Sequence, residues 1–216
     1  MTQKGARRQR LVLIFGEDET DSSAVKELIL GLRPNFSGKI KTVRRPPVYS
    51  KDINRKDARS HVRRMCSVIA AEQATADVVA VFVHRDCDAP EPAHQQQSAE
   101  LQGEFGACGY SVLAVTPAWE LESWLFLWPD AVATHRPSWN RVHRYRGQHV
   151  GLIPNAKEEF RRAVRSADMK GRGYRPSDAP AIAEQARRLG IVGSPQARSD
   201  SFACFRRAVV HAVPDT

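Results

Sequence analysis

One pattern constrains this chain more than any other, and it occurs twice. An unbroken apolar run ends abruptly in carboxylates, first in "LVLIFGEDETDS" at residues 11–22 and again in "DVVAVFVHRDCDAP" at residues 77–90. Continuous runs of this length, rich in Val, Ile, Leu and Phe, suit strands buried on both faces of a parallel sheet. The first run delivers Glu17, Asp18, Glu19 and Asp21 within five positions, and the second delivers Asp86 and Asp88. Like charges crowded at a strand end repel unless water, a cation or a metal-bound phosphate absorbs them.

Helical patterns separate the strands. "SSAVKELILGL" spaces Val25, Leu28, Ile29 and Leu32 on one helix face, and "DARSHVRRMCSVIAAEQA" does the same with Val62, Cys66, Ile69 and Ala70. Between them "KIKTVRRPPVY" reads as a second strand ended by Pro46 and Pro47. Residues 92–107 read as a helix, "YSVLAVTP" as a fourth strand, and "AWELESWLFLW" as an apolar helix carrying Glu120 and Glu122, a third acidic station. Strand and helix in alternation predict an α/β fold with a mainly parallel sheet. Its ligands belong beyond the carboxyl ends of the strands, where these acids fall.

The composition then changes. "THRPSWNRVHRYRGQHVG" and "FRRAVRSADMKGRGYR" are rich in Arg and His and poor in strand signals. The expected organisation is therefore an α/β core over 1–130 and a basic helical extension over 131–216. Two further helical patterns close the chain, with Asp178 and Ser199 or Ser201 as N-cap candidates. The formal charge of +9 comes mostly from arginine, whose planar fork suits phosphate, so a polyanionic partner is expected. Arg141, Arg144 and Arg146, interleaved with Trp139 and Tyr145, form one candidate nucleic-acid surface. Lys170, Arg172 and Arg175 around "KGRGY" form another. A solvated basic surface is the competing reading of both.

Cys66, Cys87, Cys108 and Cys204 form no C-x-x-C pair, which argues against a zinc knuckle and for reduced thiols in the cytoplasm. The apolar run after the basic N-terminal residues stops after five residues, too short for a secretory signal, and no run is long enough to span a membrane. No phosphate-cradling glycine loop of the nucleotide-hydrolase kind is present.

The order and placement of the acids resemble the TOPRIM family, shared by type IA topoisomerases, bacterial primases and OLD-family nucleases. "EDETD" is similar to that family's opening E-G-x-T-D motif, with Glu17, Thr20 and Asp21 at the matching positions and Asp18 where the family has glycine. "HRDCDAP" resembles its D-x-D motif through Asp86 and Asp88, and Glu122 before "SWLF" resembles the E-x-W-L-L of small OLD-related members. The resemblance covers residues 10–130 and leaves the basic tail unexplained. It implies a Mg²⁺ site, with Mn²⁺ as a substitute, held by Asp86, Asp88, Glu122 and Glu17, and Glu17 as general acid or base. It further implies phosphodiester hydrolysis on DNA or RNA, an ABC-type or OLD-like ATPase partner in anti-phage defence, and a homo-oligomer. The alternative is a TOPRIM-like binding module without catalysis. Histidines 84 and 94 flank the second acidic station and read either as phosphate contacts or as structural hydrogen-bonders.

Overall fold

The computed structural model describes residues 8–46, 48, 55–165 and 173–215. Four parallel strands, β1 (Arg10–Phe15), β2 (Lys39–Val43), β3 (Asp77–His84) and β4 (Leu113–Val115), form one sheet in the order β2-β1-β3-β4. The two runs that end in acids are therefore its central, adjacent strands. The chain moves outward from β1 to β2, then crosses back to β3 on the other side, so the direction of winding reverses between β1 and β3. In open α/β sheets that reversal opens a crevice at the carboxyl ends of the strands.

Both faces of the sheet are covered, which explains why the strands read as continuous apolar runs. Leu11, Leu13 and Phe15 of β1 join Val81 and Val83 of β3 against α2 (Arg55–Thr75) and α3 (His94–Gly106). The alternate residues Val12, Ile14, Ala80 and Phe82 face the other way. There they meet α1 (Glu19–Leu32) and a set of helices drawn from the second half of the chain: α4 (Glu122–Leu125), α5 (Pro129–His135), α6 (Ala156–Ala163), α7 (Ala179–Arg188) and α8 (Asp200–Ala212). Described residues from Ala131 to Val213 thus contribute to one apolar cluster with the sheet. Phe205 of α8 meets Phe82 of β3 edge-on at 6.1 Å, and a Cβ on Gly31 of α1 would collide with Val192, so these helices approach α1 closely.

Two local readings need correction. The stretch 118–128 is not a continuous helix: Trp119 takes a left-handed conformation, and regular α-helix is confined to α4. Leu121 and Trp124–Trp128 are at most 2% exposed, because this segment threads the core rather than lying on it. A segment buried on every side carries no period by which a helix can be recognised. At α7, Asp178 makes no side-chain cap; its carboxylate accepts instead from the Arg175 N–H at 2.8 Å. Ser199 does cap α8, accepting from the Phe202 N–H at 3.2 Å.

Candidate functional site

The β1 station is built by a tight turn. A Cβ on Gly16 would collide with the Ser22 hydroxyl, so only glycine lets the first turn of α1 fold back against the strand end. Asp18 is extended (φ −137°, ψ 178°) and caps α1 by accepting from the Asp21 N–H at 2.8 Å. Asp18 therefore sits in a conformation any residue adopts, and its side chain performs a capping role. Glu17 points across to β3, where its Oε1 accepts from the Asp86 N–H at 3.2 Å.

The β3 station extends the sheet beyond its last strand residue. Arg85, Cys87 and Asp88 donate their N–H groups to the carbonyls of Val115, Pro117 and Trp119. Asp88 lies at φ 51°, a left-handed position that aspartate tolerates better than most residues. The loop holds Asp86 half-buried against Glu17 and leaves Asp88 exposed at the mouth.

His84, fully buried at the end of β3, lies between two of the acids. Its Nε2 is 3.3 Å from Asp86 Oδ1 and its Nδ1 is 3.9 Å from Asp21 Oδ2. Burial pushes the imidazole down, but the contact with Asp86 and the charges of Asp21, Asp86 and Glu17 outweigh it and bring the group up to about 9. The cation between Asp21 and Asp86 is thus a histidine. It does not fully compensate them. Burial, then the Asp86 charge, raises Glu17 from 4.5 to about 7 against the opposing pull of His84. Burial likewise raises Asp21 from 3.8 to about 7, with Asp86, Asp18 and Glu122 adding repulsion.

The third station is Glu122, buried at the start of α4. It accepts from the Tyr174 hydroxyl at 3.1 Å and lies 3.7 Å from Nζ of Lys157, which also reaches Glu120 at 3.5 Å. Burial pulls Lys157 down, yet the charges of Glu122, Glu120 and Asp86 outweigh it and hold the ammonium above its usual range. Burial and the Glu122 charge push the Tyr174 phenol up. Asp88, Trp119, Glu120, Asn155, Lys157 and neighbouring residues line a cleft of about 240 Å³ beside these groups. Lys157 and Tyr174 come from the second half of the chain, so both halves build the site. Neither residue stands in a motif, and no sequence signal short of the fold would have found them.

Asp86 Oδ1 and Glu120 Oε2 are buried, each facing one cation outside good hydrogen-bond geometry, His84 at 3.3 Å and Lys157 at 3.5 Å, and the carboxylate oxygens suit a hard divalent cation. The acids are nonetheless spread out. Among the described residues, the three-member set of ligand-type groups gathered within 4.8 Å is Glu91, His149 and Asp200. That set has another explanation. Glu91 accepts from the Ser199 hydroxyl (2.7 Å), the Ser201 N–H (2.8 Å), the Asp200 N–H (2.9 Å) and His149 Nε2 (2.6 Å). It is a carboxylate saturated at the start of α8, where the helix dipole also favours it. Burial opposes its ionisation, but these donors outweigh burial and hold it down at about 2.

The candidate basic surface is less free than its sequence implies. Arg144 bonds Glu159 at 2.8 Å and lies over the Tyr145 ring, and Arg146 pairs with Asp130. Trp139 and Tyr145 are 1% and 5% exposed, so they are core residues and not stacking platforms. Arg141 and Arg175 are exposed, while Lys170 and Arg172 lie outside the described residues. No helix among the described residues is long and apolar enough to cross a membrane. Compared with known proteins, the chain gives no significant match to any family model, curated protein or solved structure.

Proposed function

We propose that this chain is a Mg²⁺-dependent nuclease of TOPRIM type that hydrolyses phosphodiester bonds in DNA or RNA. The observation that carries the reading is the placement of Glu17 and Asp86, joined by the Asp86 N–H, at the crevice between β1 and β3, with Asp88 on the same loop and Glu122 near enough for its charge to raise Asp21. Asp86, Asp88 and Glu122 would hold the cation. When bound, Mg²⁺, or Mn²⁺ in its place, supplies charge for the phosphate oxygens and lowers the pKa of a coordinated water.

The chain's own groups supply the rest. Glu17, poised at about 7, can take and return a proton near neutral pH, with Oε1 fixed by the Asp86 N–H and Oε2 left for the exchange. Lys157 brings a cation to the cleft wall, where a phosphate oxygen or leaving oxygen would gain from it. Arg141 and Arg175, with Lys170 and Arg172, would contact the nucleic-acid backbone. An ABC-type or OLD-like ATPase would gate the cutting in phage defence, and a second copy of the chain would extend the basic surface.

One observation favours the alternative, a TOPRIM-like binding module without catalysis: His84 already supplies a cation between Asp21 and Asp86. The two readings part in a cleavage assay on labelled single-stranded DNA, duplex DNA and RNA with Mg²⁺, Mn²⁺ or EDTA. The nuclease reading expects metal-dependent cutting that an Asp86→Ala/Asp88→Ala variant loses while still binding. Cutting that survives in EDTA or in the variant, or binding without cutting in every condition, would overturn it.

A further inference from the structure

Outside the acidic site, one thiol has a neighbourhood unlike those of the other three. Cys204 lies on α8, partly exposed, with Sγ 3.9 Å from Nε2 of His94 at the start of α3 and 3.1 Å from the guanidinium of Arg207. His94 is 1% exposed, and its Nδ1 is buried with no hydrogen-bond partner. A ring this deeply buried, with one nitrogen aimed at a sulfur on the next helix, is an arrangement that thiol chemistry uses. Cysteine becomes nucleophilic when a base takes its proton and nearby cations hold the thiolate.

We propose that Cys204 is the reactive thiol of this chain, activated by His94 and Arg207, and that it undergoes exchange with low-molecular-weight disulfides such as oxidised glutathione. The Sγ proton passes to His94 Nε2, and the thiolate attacks one sulfur of the small disulfide. A new S–S bond forms to Cys204 as the old one breaks, and the departing thiolate recovers the proton from His94. Cys204 is oxidised, half of the small disulfide is reduced, and no further oxidant is needed. Arg207, exposed beside the sulfur, offers a cation to a carboxylate of the incoming molecule. Burial, which outweighs the opposing charges of Glu91 and Asp200, lowers His94 and keeps it in the neutral form that can accept a proton.

The other thiols serve as internal controls. Cys66 and Cys87 are buried, and burial pushes Cys66 up to about 11. Cys108 is partly exposed like Cys204 but has no basic partner among the hydrogen bonds and ion pairs of the described residues.

The test is pulsed iodoacetamide labelling of the native full-length chain at pH 7, with each cysteine read by mass spectrometry, and a parallel incubation with oxidised glutathione. Cys204 should label at least about threefold faster than Cys108 and take up the glutathionyl mass first. Arg207→Gln, a surface change that leaves the fold intact, or His94→Gln should slow Cys204 relative to Cys108 in the same molecule. Labelling of Cys108 as fast as Cys204, or a Cys204 rate unmoved by both variants, would overturn the proposal.

Discussion

Two carboxylate centres of this chain, both withdrawn from solvent, behave in opposite ways. Glu91 has four protein donors on its two oxygens and is held down at about 2. Glu17 and Asp21, at the mouth of the central strands, have fewer donors and more like-charged neighbours and are raised to about 7. Burial pushes all three in the same direction; the donor count decides the sign. A saturated carboxylate is a structural tie, and an under-satisfied cluster is a place where a proton or a cation is worth binding.

The largest expected effect comes from breaking the tie. Glu91→Ala strands the Ser201 and Asp200 N–H groups and the Ser199 hydroxyl, and urea unfolding should show a loss of about 3 kcal/mol or more. Glu17→Gln removes a repelled charge, so its melting temperature at pH 8 in EDTA should be unchanged or raised by about 2–4 °C. A Glu17→Gln variant as damaged as Glu91→Ala would erase the distinction between the centres.

The pH dependence of stability sharpens it next. Glu17 and Asp21 bind protons more tightly in the folded chain, so each costs stability as pH rises from about 4 to about 7. His84 stabilises the fold fully below 6.5, and that contribution is lost as pH rises through about 9. Glu91 contributes fully above 4.5, and its contribution disappears only as pH falls from there through about 2. Thermal melts without divalent cation should therefore decline steadily between pH 5 and 9. Added Mg²⁺ should recover more at pH 8 than at pH 5.5, because the acids must lose protons to hold it. A flat profile, or equal recovery at both pH values, would count against cation binding by this cluster.

The smallest effect concerns the basic surface. Arg144→Ala and Arg146→Ala remove cations already paired with Glu159 and Asp130, and exposed pairs of this kind are worth about 1 kcal/mol or less. Arg141→Ala should weaken nucleic-acid binding and reduce its salt slope more than either of them, a difference that titrations at several salt concentrations would resolve.

What the sequence made legible was what repeats locally. The central strands and the acids at their ends could be read because apolar runs and the charges that stop them are neighbours in the chain. The tie at Glu91 could not, since its partners lie 58 to 110 residues away and nothing near Glu91 signals them. Lys157 and Tyr174 were hidden for the same reason. Glu122 was visible as an acid, but the segment around it looked helical because a core-threading stretch has no polar face to betray its path. Arg144 and Arg146 advertised a binding surface until Glu159 and Asp130 folded against them.

The helices that dry one face of the sheet also bear on how the chain comes into being. Val12 and Ile14 are made well before Phe205 and Val209, which belong to the cluster that covers them. During synthesis that face of the first strand has α1 beside it but stays incompletely covered until α8 has left the ribosome. Closure then depends on contacts between segments far apart in sequence, the kind that form slowly and leave apolar surface open to other chains meanwhile.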